Sequence, residues 1–179
     1  MKKSAFTMIE LIIVIVVAGI LAAVMIPRLE RDSLREAANQ LVRHIQYTQH
    51  LAMVDDVYDA GDTSWYQNRW SINLCSTAYA VERANGSATA VDTLTQRDID
   101  GTDNDLANMG VSISPTTGNC RVVFDDLGRP YSFVDTPVFV SPVDSLNTAD
   151  KVITLTADGR TATINVTKET GFVKITTLN

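Results

Sequence analysis

Glu10 is the single ionisable side chain in the stretch Phe6 to Ile26, 21 residues that are apolar but for it and Thr7. A carboxylate at the centre of a bilayer costs roughly 2.5–3.5 kcal/mol, so one persists there with a partner or a task, or near an end where it can snorkel to the headgroups. Cys75 and Cys120, with 44 residues between them, would bridge in an exported chain or otherwise remain as two buried thiols. Asp98, Asp100, Asp103 and Asp105 surround Gly101, a pattern that could supply the oxygen-rich shell of Ca2+ but reads first as a solvated acidic loop. The EF-hand register is not met, because its first and last ligand positions would fall on Gln96 and Ala107. His44 and His50 are six residues apart, about 600° around a helix, so they cannot share a metal and read as surface or packing residues.

The elements that must position these groups follow from periodicity. A bilayer core needs about 20 mostly apolar residues in a helix, and Phe6 to Ile26 meets that length. Beyond Pro27, the residues Leu34, Ala37, Ala38, Leu41, Val42, Ile45, Thr48 and Ala52 recur at intervals of three and four. Arg35, Glu36, Asn39, Arg43, Gln46 and Gln49 fall mostly on the other side. The pattern predicts one helix from Phe6 to Val54, kinked at Pro27, which removes a backbone donor. Gly19 is a second soft point, worth about 1 kcal/mol against alanine.

Turn formers from Asp55 to Asp62 mark a neck, and strand patterns follow at Trp70–Leu74, Tyr79–Val81, Arg121–Phe124 and Tyr131–Phe133. A terminal meander is predicted from Val152 to Ile175, with turns at Asp158-Gly159 and Glu169-Thr170-Gly171. The expected fold is α+β, a long helix whose second half lays its apolar stripe on an antiparallel sheet.

Three readings of the N-terminus compete. In a Sec signal peptide, Leu21-Ala22-Ala23 could loosely serve as a cleavage site, but the run is too long and its charge misplaced. A plain anchor fits the length and the positive charge of Lys2 and Lys3, and leaves Glu10 unexplained. In the third, Lys2-Lys3-Ser4-Ala5-Phe6-Thr7-Met8-Ile9-Glu10, the apolar run and then Pro27 resemble the class III signal of type IV pilins and type II secretion pseudopilins. The resemblance is strong over roughly the first 30 residues and weak beyond.

That resemblance implies a leader of residues 1–5, a transmembrane and assembly helix over 6–27, and a periplasmic or extracellular head over 28–179. Prepilin peptidase would cut between Ala5 and Phe6 and methylate the new amine. The family usually has glycine where Ala5 stands. Glu10 would pair with the Phe6 amine of a neighbouring subunit and set the stagger of a filament. Gly19 and Pro27 would ease the fit. The implied partners are other pilin or pseudopilin subunits, prepilin peptidase, an inner-membrane assembly platform and, before assembly, membrane lipid. The implied location is the inner membrane as a single-pass protein, then a filament. The Trp-containing first strand and terminal strand-Thr-Gly-strand unit resemble minor subunits of the GspH/FimT type. A major pilin of an extracellular fibre, or a pilus-associated adhesin or DNA-binding module, is the alternative.

Composition bounds the rest. With 45% hydrophobic and 20% charged residues, the chain has material for a real core. Losing Lys2 and Lys3 lowers the basic count from 15 to 13 against 21 acids, so a formal charge of -6 becomes -8. The arginines at 28, 31, 35 and 43 are interleaved with Glu30, Asp32 and Glu36, so no strip suited to phosphate neutralisation emerges and no nucleic-acid partner is expected. Catalytic motifs such as G-x-S-x-G, H-E-x-x-H and the phosphate loop do not occur, and the chain reads as a non-enzyme.

Overall fold

A computed structural model describes residues 7–74, 78–102, 106, 108–114, 120–133 and 149–179, with the side chains of 24–32 and 132–133 set aside. The chain divides into two compact units, Met1–Ser33 and Leu34–Asn179. Helix α1, Met8–Val54, contributes to both.

In the first unit the helix presents an apolar surface. Its large apolar side chains from Met8 to Leu21 are 49–81% exposed. Among the described residues no helix is long and apolar enough to cross a membrane, and the described side chains of the run stop at Ala23. The Pro27 side chain, where a kink is expected, lies outside the described residues, as does Phe6.

In the second unit Leu34, Ala37, Ala38, Leu41, Ile45, Thr48 and Ala52 of the predicted stripe are buried, and Val42 is half-buried against the same core. The helix ends where carboxylates begin to take backbone donors. Asp55 N–H closes the last turn on the Leu51 carbonyl at 3.0 Å. Asp56 then accepts from Tyr58 N–H at 3.1 Å and Asp59 from Gly61 N–H at 2.8 Å, the local competition that makes Asp a helix stop.

Among the described residues, eight strands form two antiparallel four-stranded sheets. The first, ordered β2-β1-β4-β5, is built from β1 (Trp70–Asn73), β2 (Ala80–Arg83), β4 (Arg121–Phe124) and β5 (Pro130–Phe133). The second, ordered β3-β6-β7-β8, uses β3 (Ser112–Ser114), β6 (Lys151–Ala157), β7 (Arg160–Val166) and β8 (Val173–Leu178). The predicted meander is β6-β7-β8. Its first turn has Asp158 at φ 48° and Gly159 at φ 76°, the paired left-handed residues of a type I′ hairpin.

The core is continuous across both sheets. Helix residues Leu41 and Ile45 belong to one buried cluster with Ile72, Val81 and Phe124 of the first sheet and with Leu155, Ile164 and Val166 of the second. The α+β arrangement of helix on antiparallel sheets is therefore the expected one, with two sheets in place of the single sheet anticipated.

Candidate functional site

Residues that could act lie at three places. At the start of α1, Thr7 C=O accepts from Glu10 N–H at 3.1 Å and Leu11 N–H at 3.3 Å, so Glu10 stands in the first turn. A carboxylate there is favoured by the positive end of the helix dipole. Glu10 itself is exposed, among exposed apolar neighbours. Among the described residues a Cβ added to Gly19 would meet nothing within 4 Å, so no close approach there requires that glycine.

The second place is the far end of α1, where Gln49 and Asp55 tie the helix to both sheets. Asp55 Oδ2 accepts from Trp70 Nε1 at 2.9 Å and from the Arg83 guanidinium at 2.7 Å, while Arg83 also donates to the Asn68 carbonyl at 2.6 Å. Gln49 Nε2 donates to the Gly128 carbonyl at 2.8 Å and to the Thr170 carbonyl at 2.9 Å, bridging the β4–β5 and β7–β8 turns. Room for this comes from glycine: Gly171 has φ 67°, and a Cβ on it would strike the Gly128 carbonyl and the Gln49 amide. Fully buried Asp125 organises the β4–β5 turn, accepting from Arg129 N–H at 2.7 Å, Arg129 Nε at 2.8 Å and Tyr131 Oη at 3.2 Å. Burial first, and then the Asp125 charge, push the Tyr131 phenol up.

The third place is a polar chain inside the head. His44 Nδ1 lies 2.7 Å from the hydroxyl of fully buried Tyr79, and its Nε2 lies 3.6 Å from Asp92 Oδ2. A neutral ring protonated on Nε2, with Nδ1 accepting from Tyr79, satisfies both sides. Burial pushes the imidazole pKa down; Asp92 opposes it and Arg43 reinforces it. Burial acts to raise the Asp92 carboxyl, but hydrogen bonds from Leu94 N–H and Thr95 Oγ1, with the charges of His44 and Arg43, outweigh it and hold the group low. His44 is thus the packing histidine of the pair, and His50 is exposed. Its partners lie 35 and 48 positions away, so no local signal announced them.

The remaining sequence candidates are placed only in part. Cys120 is disulfide-bonded, and Cys75, its expected partner, lies outside the described residues. Leu74 N–H donates to the Cys120 carbonyl at 2.7 Å, extending the β1–β4 register to the cysteine. Asp98 and Asp100 are exposed, and Asp100 Oδ1 accepts from the Thr102 N–H and hydroxyl. Asp103 and Asp105 lie outside the described residues, as does Ala5. Among the described residues no group of three or more potential ligands could hold a metal.

Residues 1–26 match the prokaryotic N-terminal methylation motif, the class III signal typical of type IV pilins and pseudopilins. A signal of this kind is typical of pilins and pseudopilins, which are membrane-anchored before assembly, and the described residues show an α+β, pilin-like arrangement of helix on antiparallel sheets. No curated protein and no solved structure matches the chain.

Proposed function

We propose that this protein is a structural subunit, a minor pilin or pseudopilin, of a type IV pilus or type II secretion filament. The observation that carries the reading is the exposed apolar surface of α1 from Met8 to Leu21, interrupted by Glu10 and lying within the matched motif. Such a surface is far more contiguous than a soluble monomer tolerates, and it needs lipid first and neighbouring helices afterwards. Cleavage between Ala5 and Phe6 by prepilin peptidase frees an amine four residues from Glu10. Intermolecular pairing of that amine with Glu10 replaces the hydration each loses in the filament core and fixes the stagger of successive subunits.

Gly19 supports the same reading, because its missing Cβ serves no contact among the described residues. Close approach of a second stem, or bending during extraction from the bilayer, gives the glycine a use. The inner-membrane platform and its motor are separate proteins. Mass spectrometry of the mature N-terminus from host membranes tests the proposal. A peptide beginning at methylated Phe6 is expected. An intact Met1, or a start beyond Ala22, refutes it.

A further inference from the structure

Asn85-Gly86 is the only Asn-Gly pair in the sequence, and both residues are exposed at the tip of the hairpin that follows β2. The tip is a tight turn. Gly86 N–H donates to the Arg83 carbonyl at 2.7 Å, and Arg83 N–H to the Ala88 carbonyl at 2.9 Å. Gly86 has φ 72°, a left-handed position that glycine fills without strain, and a Cβ added there would meet nothing within 4 Å among the described residues. Asn85 Oδ1 accepts from Ser87 N–H at 3.0 Å, which folds the side chain back along the Gly86 peptide. The amide carbon and the Gly86 nitrogen are therefore neighbours at an open site, with no side chain on residue 86 to keep them apart.

The same turn is docked on the short 3-10 segment Trp65–Asn68 and the residue after it. Ala84 N–H donates to the Arg69 carbonyl at 2.8 Å, Asn85 N–H to the Gln67 carbonyl at 2.9 Å, and Asn85 Nδ2 to Asn68 Oδ1 at 2.7 Å. Chemistry at Asn85 thus reaches a tertiary contact.

We propose that Asn85 is a site of spontaneous deamidation, with water as the co-reactant. The Gly86 nitrogen loses its proton to solvent and bonds to Asn85 Cγ; the Cγ–Nδ2 bond breaks and ammonia leaves a cyclic imide. Water then opens the imide at either carbonyl. One opening leaves an aspartyl residue, and the other carries the main chain through the side-chain carboxyl as an isoaspartyl link. Either product adds a carboxylate to an acidic chain and removes the donor that faces Asn68 Oδ1. The isoaspartyl form also inserts a methylene into the backbone of the turn, which disturbs the Gly86 to Arg83 bond. Every residue involved lies in the unit Leu34–Asn179, so the inference stands apart from the processing of the N-terminus.

The full-length protein in detergent micelles is incubated in mildly alkaline buffer, sampled over days, digested and analysed by mass spectrometry. The peptide holding Asn85 should lose its amide first and split into two acidic isomers, while peptides holding Asn39 or Asn165 keep theirs. Conversion should quicken as pH rises, because the ring closes from the deprotonated nitrogen. Asn85→Gln, which needs a larger ring, should keep its amide and the native far-UV spectrum. If Asn85 stays intact in the folded protein while the urea-unfolded chain converts there, the turn protects the site and the proposal fails. Conversion of Asn39 or Asn165 as fast as Asn85 overturns its selectivity, and acid formed without any isoaspartyl product overturns the ring route.

Discussion

Gln49 illustrates how one side chain can carry more than its sequence context suggests. It falls on the polar face of α1, yet its single amide group holds a turn from each sheet. Gln49→Ala would leave both carbonyls without that donor and is expected to cost about 1–2 kcal/mol in denaturant unfolding. Gly171→Ala combines a left-handed backbone with a collision and is expected to cost at least about 1–3 kcal/mol. His44 gives a pH prediction with a definite sign. Its folded pKa lies below the unfolded value of about 6.5, so between the two the unfolded chain binds more protons. The stability present above that window is lost as pH falls through it. Unfolding midpoints should therefore drop as pH falls below about 6.5, and His44→Gln should flatten that part of the profile. A slope unchanged by the substitution would assign the acid sensitivity elsewhere.

The elements were legible where their signal is local. The stripe from Leu34 to Ala52, the strand at Trp70 and the Asp158-Gly159 hairpin need only spacing and turn chemistry to be recognised, and each stands where the pattern put it. Strand β3 offers only Ser112-Ile113-Ser114, too short for any alternation to register, and it pairs with β6 some 40 positions later. The division into two sheets was hidden for the same reason, since strand partners are chosen by the tertiary fold. Neither Asp55 nor Gln49 betrays its role in the sequence, because both partners of each are remote along the chain. At this scale the helix stripe is part of the shared core. Leu41→Ala, at a site with no exposure and in contact with the shared core, is expected to cost about 2–5 kcal/mol. Reduction of the disulfide at Cys120 should lower the unfolding midpoint, by an amount equivalent to about 3–4 kcal/mol if Cys75 closes the loop.

For the molecule as a whole, the exposed stem and the packed head pose separate problems of solubility. Glu10→Ala should leave membrane insertion and cleavage intact while depleting the protein from sheared filaments; normal incorporation would remove the register role assigned to that carboxylate. The head, in contrast, is fastened to its own part of α1 at several points. Gln49 is bonded to a turn of each sheet, and Asp55 to β1 and β2. Tension drawn along the last turns of this helix would reach both sheets at once. The attachments would then shear in parallel instead of peeling one after another, so the rupture force of the head should exceed what any one of these modest bonds could bear.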